Sequence, residues 1–410
     1  MGKLLDVQMG AVCIVVGTVY KRMQLQPSVL KEYAQERAIL PMPVSASFTS
    51  DDDSLVLEDE FGRVPLLLPT AARSQQLVHR LVTGVVCALV GEEVDGGDFL
   101  VREFIEPACA PQKPLSLPLP REPREPRYLA FASDLCVGSA SGEQALLLEL
   151  LATFLLSSPL APHIARLIVA GNLIAPPSAA NVELPSGSKP LSHKSLSQFS
   201  VPVAAADTFV ARICASLPLD VVPGARDPAS YALPQQPLNM CLFPLSSHYA
   251  SLTCSTNPYE ATFDDGRVLV AGNGGQVLES MLRYVRDMTP LQAMRKCLEW
   301  RHVAPTAPDA LACYPFVQRD RFVLTQTPHV LFVGDQNEYE SELAELDVGP
   351  VGVADEEGAA AATTTTAATS AATKAQVLLL RVPKFSTTGT IVLLDLNTMQ
   401  AEPVTFEASF

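Results

Sequence analysis

The sequence predicts two domains of different class, an all-β barrel over residues 1–109 and a larger α/β sandwich over 127–410, joined by a linker at 110–126. Three observations carry this. Short runs of alternating apolar residues crowd the first 109 positions, separated by glycine-bearing turns. The stretch Pro111–Pro126 (PQKPLSLPLPREPREP) is proline-rich, so it reads as an extended, semi-stiff connection and not as core. Beyond it, strand-like runs alternate with helix-like ones, the pattern of a layered α/β fold.

In the first domain Val12–Met23 is a long strand, and Ser28–Ala38 carries helical spacing behind the entry signal Pro27-Ser28. Leu55–Glu58 and Arg63–Leu68 flank Asp59-Glu60-Phe61-Gly62 as a hairpin. Leu81–Val90 and Phe99–Ile105 flank Val94-Asp95-Gly96-Gly97-Asp98, where glycine supplies positive φ. Five strands in this layout fit an OB-fold barrel, although another small barrel fits them too. In the second domain Gln144–Leu155 is an apolar helix, and Asp207–Leu217 is a helix with Asp207 as a plausible cap. Thr289-Pro290 supplies an N-cap and a first-turn proline for Leu291–Trp300. Ala250–Cys254, Ala261–Phe263 and Arg267–Ala271 read as meander strands, and strands return at Val377–Val382 and Thr390–Leu396. Ala175–Ser200 is Ser-, Pro- and Ala-rich and is expected to be a loop. Residues 356–375 (EEGAAAATTTTAATSAATKA) bury too little apolar surface to fold alone, so they are expected to be a disordered loop insertion.

Hydrophobic content of 48% with 18% charged residues marks a globular chain. A net charge of −15 argues against autonomous nucleic-acid binding, which needs clustered Lys and Arg to displace counterions. Any DNA contact is then expected to be local or supplied by a partner, and DNA is expected to be met only indirectly. The nine cysteines are scattered without a CxxC pair, which fits buried thiols in a reducing compartment. The apolar run Ala11–Val16 is too short to span a bilayer, and no secretory signal precedes it, so no membrane contact is expected.

Four apolar runs, Tyr128–Ala132, Leu167–Ala170, Val221–Pro223 and Val330–Val333, each end at a turn: Ser133-Asp134-Leu135-Cys136, Gly171-Asn172-Leu173-Ile174-Ala175, Gly224-Ala225-Arg226-Asp227 and Gly334-Asp335-Gln336-Asn337. The series resembles calcineurin-like metallophosphoesterases, whose ligands sit on successive loops as DxH, GDxxD, GNH(D/E) and GHxH. Such a centre needs a carboxylate bridging two metals, with imidazoles completing the shells. Here the bridging slot is Asn172 and its companion is Ala175. The His of DxH is Cys136, the Asn and His of GNH are Ala225 and Arg226, and both His of GHxH are replaced, by Asp335 and Asn337. Only Asp134 remains a clear ligand, with Asp335 a remote second. No catalytic residue, metal or other cofactor is expected. The fold class is therefore an OB-fold barrel followed by a degenerate phosphoesterase sandwich.

Other candidates have plain readings. His302 and His248 stand alone beside a helix and a strand, and His79, His163, His193 and His329 share no ligand spacing. Gly272-Asn273-Gly274-Gly275 before Gln276–Val285 resembles an anion-binding helix start, but a glycine turn after a strand accounts for it. A single-strand-binding role for the barrel would need a basic groove with aromatics. Its aromatics are few (Tyr20, Phe61, Phe99, Phe104), and Asp51-Asp52-Asp53 and Glu58-Asp59-Glu60 repel phosphate. An active phosphodiesterase or exonuclease would need metal to bind without the missing donors. The apolar stretch Leu233–Leu245 has no clear period, so Leu233, Pro234, Leu238, Leu242 and Phe243 are candidate interface residues, a buried irregular connection being the alternative.

An OB-like barrel before a ligand-poor phosphoesterase fold resembles the B-subunits of eukaryotic replicative DNA polymerases. GTVYKRM (17–23), LQPSVL (25–30), LVLEDE (55–60), APQKP (110–114), VAGNL (169–173), LPQQPL (233–238), TNPY (256–259) and RHVAPTAPDALACYPF (301–316) further resemble the small (second) subunit of DNA polymerase delta. The resemblance implies a nuclear, non-catalytic accessory subunit for replication and repair synthesis. Its partners would be the cysteine-rich C-terminal domain of the catalytic subunit of DNA polymerase delta and the third subunit of the complex. It also admits the polymerase zeta catalytic subunit as a partner.

Overall fold

The computed structural model describes residues 4–26, 46–68, 71–115, 125–176, 193–349 and 374–407. The helix expected at Ser28–Ala38 lies outside them, as do 116–124 of the linker, 177–192 of the expected loop and all of the insertion except its last two residues.

Strands β1 (Cys13–Arg22), β2 (Ser54–Glu58), β3 (Arg63–Leu67), β4 (Val86–Glu93) and β5 (Phe99–Ile105) close into a barrel in the order β1-β2-β3-β5-β4. Period-2 alternation builds it: Val15 and Val19 on β1, Leu55 and Leu57 on β2, and Cys87 and Leu89 on β4 all point inward. The strand expected at Leu81–Val90 is displaced. Helix α1 (Ala71–Arg80) precedes it, and pairing begins only at Val86, because Leu81, Val82 and Val85 are buried in a turn that packs against the next domain.

The second unit has the layer order helix, sheet, sheet, helix. Strands β6 (Tyr128–Ala132), β7 (Ile164–Ala170), β8 (Leu219–Val222) and β9 (Leu252–Cys254) run parallel. β15 (Thr390–Asp395) and β16 (Gln400–Thr405) complete that six-stranded sheet in the order β16-β15-β6-β7-β8-β9. The other sheet runs β10-β11-β12-β14-β13: β10 (Tyr259–Phe263), β11 (Val268–Asn273), β12 (Val330–Gln336), β14 (Lys374–Pro383) and β13 (Glu340–Asp347). Alternation sorts the side chains into two layers. Leu129, Phe131, Ile168, Ala170, Val330, Phe332, Leu378 and Leu380 meet between the sheets. Ala130, Ala132, Leu167 and Val169 instead face helices α2 (Gly142–Ser157) and α3 (His193–Cys214).

Several expectations change. The three meander strands belong to two sheets, since β9 pairs with β8 whereas β10 and β11 form an antiparallel pair elsewhere. The loop expected over 175–200 is helical from His193. Asp207 therefore lies within α3 instead of capping it, and its buried carboxylate accepts from the backbone nitrogens of Leu245 (2.8 Å) and Ser246 (2.9 Å). Lys374 and Ala375, placed in the insertion by composition, begin β14. Gly334 and Asp335 lie within β12, at an irregularity between Val333 and Gln336, and not at its end.

The remaining helices are α4 (Gln276–Tyr284), α5 (Pro290–Glu299) and α6 (Phe385–Thr388). Thr289 starts α5 with a capping box to Gln292, as the Thr-Pro signal predicts. α4 and α5 bury one face against the five-stranded sheet and the other against the barrel, so Val19, Leu81 and Val85 share a core with Met281, Tyr284 and Val285. Lys21 is fully buried at this seam, donating to the carbonyls of Leu81 and Tyr284 and lying 3.9 Å from Asp53. Gly84 (φ +96°) passes so close to Pro305 that a Cβ would lie 1.8 Å from its carbonyl oxygen. Among the described residues no helix is long and apolar enough to cross a membrane.

Candidate functional site

The loops after β6, β7 and β8 and the irregular stretch within β12 converge at one edge of the sandwich. They interlock through glycine. A Cβ on Gly171 would lie 3.1 Å from the Cα of Gly274 and 3.2 Å from that of Gly224, and one on Gly334 would lie 2.0 Å from the carbonyl oxygen of Ala170. Asp134, Cys136, Asn172 and Asp335 hold left-handed backbone, with φ of +55°, +45°, +57° and +56°. That conformation costs an L-residue about 1 kcal/mol. Cross-loop bonds hold it in place: Asp134 N donates to Gly171 O at 2.9 Å, and Cys136 N to Asn172 O at 3.2 Å.

The structure brings Asp134, Cys136, Asn172, Arg226 and Asp335 together. Asp134 is 2% exposed, and its carboxylate accepts from the Arg226 guanidinium, the Ser386 hydroxyl and the Cys136 thiol. Arg226 also lies 3.6 Å from Asp335, and its backbone nitrogen donates to Asn172 Oδ1 at 3.0 Å. Burial, followed by the nearby Asp134 charge, pushes the Cys136 thiol up to about 12, so it is a protonated donor at neutral pH. Burial likewise raises the Asp335 carboxyl, opposed by Lys384 at 4.0 Å. Ala175 contributes a backbone bond to Val137, Ala225 is exposed, and Asn337 accepts from Lys384 Nζ at 3.2 Å.

This donor set does not fit a binuclear metal centre. A guanidinium stands against the one retained ligand, and the bridging position is an amide whose oxygen is engaged by a backbone N–H. Among the described residues no group of three or more His, Cys, Asp or Glu could hold a metal ion. A cavity of about 660 Å³ opens beside Arg226, lined by Ser139, Ser141, Glu143 and Ser386, and among its described lining residues Glu143 is the one carboxylate.

Sequence reasoning left several partners unassigned. Asp227, inside the third turn string, is buried and accepts from the backbone nitrogens of Gly224 (2.9 Å), Ile174 (3.0 Å) and Leu173 (3.3 Å), tying two loops together. The available signal was a carboxylate just inside a glycine turn. Ser386 and Lys384 arrive from far along the chain, with no local signal. The Gly272–Gly275 turn serves packing: Asn273 Oδ1 accepts from Gly275 N at 2.9 Å, and Asn257 joins Gln235 and Gln276 beneath it.

The interface candidates need correction. Leu233, Leu238 and Phe243 are 2%, 1% and 0% exposed and belong to this chain's own cores, because the irregular segment folds under the loops. Leu242 is half-buried, and half-buried Pro234 lines a cavity of about 710 Å³ with Tyr314 and Phe316. In the barrel Phe99 is core, and Arg63 covers the Tyr20 ring at 5.1 Å, which removes both from any stacking platform.

A barrel leading into a sandwich with this loop cluster is the arrangement of polymerase B-subunits. The family model for the DNA polymerase delta subunit OB-fold domain matches residues 1–104, and that for the DNA polymerase alpha/epsilon B-subunit matches 129–342. The chain is 35% identical to the DNA polymerase delta small subunit of Arabidopsis thaliana over 98% of its length and 84% of the relative's. It is 34% identical to the rice (Oryza sativa subsp. japonica) small subunit, over 99% and 86%. It is also 34% identical to DNA polymerase delta subunit 2 of Drosophila melanogaster, over 96% and 83%. The chain belongs to the family of DNA polymerase delta small subunits.

Proposed function

We propose that this protein is a non-catalytic, nuclear accessory subunit of a DNA polymerase delta complex, acting in replication and repair synthesis. It bridges the C-terminal domain of the catalytic subunit to the third subunit and meets DNA only through them. Residues 1–109 and 127–410 act in this as one body. The observation that carries the non-catalytic reading is the Arg226–Asp134 pair. It places a fixed positive charge where a divalent ion would need to sit and engages the remaining ligand. Loss of inner-shell ligands and their orienting partners removes metal affinity steeply. The large rigid surface formed by a barrel and sandwich sharing one core suits an obligate interface, and net acidity suits a more basic partner.

Two experiments test this. Incubation with a generic phosphodiester and with 3′-ended DNA in Mn²⁺ is expected to yield no hydrolysis. Turnover that disappears in Asp134→Ala would refute the non-catalytic reading. Mixing with the third subunit and the purified C-terminal domain of the catalytic subunit is expected to produce one ternary species on size exclusion, and failure to bind either refutes the bridging role.

A further inference from the structure

The cavity beside Arg226 has hydrogen-bonding groups on its wall that this chain does not use. Arg226 meets both Asp134 and Asp335 through Nη2. Its side chain is 41% exposed and lines the cavity, so Nε and Nη1 remain there as donors among the described residues. Helix α2 begins at the same cavity. Ser141 caps it, accepting from Gln144 N at 3.4 Å, and Ser139 accepts from Ser141 N at 3.4 Å. Both hydroxyl oxygens act as acceptors, which leaves each O–H to donate. The N–H groups of Gly142 and Glu143, in the first turn, have no partner within the helix and favour negative charge.

An independent sign of a ligand comes from Gln144. It is 5% exposed and lines the cavity, and its Nε2 donates to Leu135 O at 2.6 Å. That bond fixes which end of the amide is oxygen, and Oε1 is left buried with no partner. Gln144 stands where a side chain could close a capping box, but the Ser141 N–H that would bond it goes to Ser139. A buried acceptor without a donor is rare in a folded protein. A ligand for this wall must therefore bring oxyanion acceptors for Arg226 and the serines, and a proton for Gln144. A phosphate monoester in its monoanionic form has both, whereas a carboxylate or a sulfate has charge without the proton. Glu143, on the same wall, disfavours a dianion. The rest of the wall is apolar, from Ala175, Pro176, Val201 and Pro202, and about 660 Å³ leaves room for more than a bare phosphate.

We propose that this cavity binds a small phosphate monoester with an apolar or aromatic body, held through its phosphate by Arg226, the start of α2 and Gln144. The proposal does not depend on the accessory-subunit role. Its test titrates the full chain by calorimetry at about pH 6, where a monoester still carries its proton in part. The probes are adenosine 5′-monophosphate, adenosine, inorganic phosphate and inorganic sulfate. The monophosphate is expected to bind with a Kd below about 1 mM, at least about 10-fold tighter than adenosine. Inorganic phosphate is expected to bind at least about 5-fold tighter than sulfate, and Gln144→Met to bring the two within about 2-fold. Arg226→Met should weaken phosphate and monophosphate alike, by at least about 10-fold. Because that change also removes an ion pair, Val201→Trp serves as a second variant. Val201 is 62% exposed, so the fold is retained while the indole fills the apolar end of the cavity. This variant should weaken the monophosphate at least about 10-fold and leave inorganic phosphate within about 2-fold. Adenosine binding as tightly as its monophosphate overturns the proposal, as does sulfate matching phosphate on the wild-type chain. A monophosphate affinity that Val201→Trp leaves unchanged overturns it by placing the ligand elsewhere. Absence of saturable monophosphate binding up to about 10 mM overturns it too. Tighter binding of a 5′-phosphorylated oligonucleotide than of the monophosphate overturns the small-ligand assignment in favour of a nucleic-acid end.

Discussion

A few buried charges show how residue identity translates into behaviour. Asp134 is nearly inaccessible but has three donors, one of them a guanidinium that is itself 41% exposed. Arg226→Met should therefore destabilise the fold by about 1–3 kcal/mol. That is less than the ~3–5 kcal/mol of breaking a fully buried pair, because solvent screens the exposed arginine and Ser386 and Cys136 remain bonded to the carboxylate. Urea unfolding of the two proteins measures the difference. Lys21 shows the opposite balance. Burial holds its ammonium down to about 8, with Asp53 opposing that shift and Arg286 reinforcing it. The unfolded lysine keeps its proton to about 10.4. Between these values the unfolded state binds more protons, so stability rises with pH and is lost again as pH falls through 8. The wild-type protein should gain on the order of 2 kcal/mol relative to Lys21→Met between about pH 7.5 and 10.5, read as the divergence of their denaturation midpoints.

At the scale of elements, long-range contacts overrule local signals where the two compete. Asp207 reads as a helix cap, yet α3 begins at His193 and the carboxylate instead caps the 3-10 turn at Ser246–His248. Asp207→Ala leaves the N–H groups of Leu245 and Ser246 without their acceptor. It should cost about 2–3 kcal/mol, on the scale of buried hydrogen bonds to a charged group, and it should speed amide exchange at those two residues, which NMR resolves. Asp207→Asn, which retains an acceptor oxygen, should recover part of both effects. α5 is the contrasting case. Its Thr-Pro start and Gln292 lie within four positions of one another, so the capping box is written in adjacent residues and the helix begins where those residues place it.

On the scale of the whole molecule, the core that runs from β1 and the Leu81–Val85 turn into α4 and α5 makes the barrel and sandwich mutually dependent. Residues 1–109 and 127–410 are expected to unfold in a single transition, with calorimetric and van't Hoff enthalpies agreeing. Two resolved transitions, or limited proteolysis releasing two folded pieces, would contradict that expectation. Placing a methyl group at the seam should uncouple the units: in Gly84→Ala the Cβ meets the Pro305 carbonyl at 1.8 Å on a residue held at φ +96°.

The sequence by itself determined the two-unit plan, most strands of the sandwich, and which residue types stand at the four strand-end turns. Each of these depends on residue type at a local period, or on a glycine turn directly after an apolar run. Tertiary structure decided what meets at those turns. Arg226, Ser386 and Lys384 meet Asp134 and Asp335 only because β8, β12 and the segment after β14 finish at the same edge. It also decided that Leu233, Leu238 and Phe243 are core and that Ile14, Val16, Val86 and Ile105 are surface. All seven are apolar residues, and composition cannot separate them. Burial is a property of what the rest of the chain places on each side, which the residue and its neighbours in sequence do not contain.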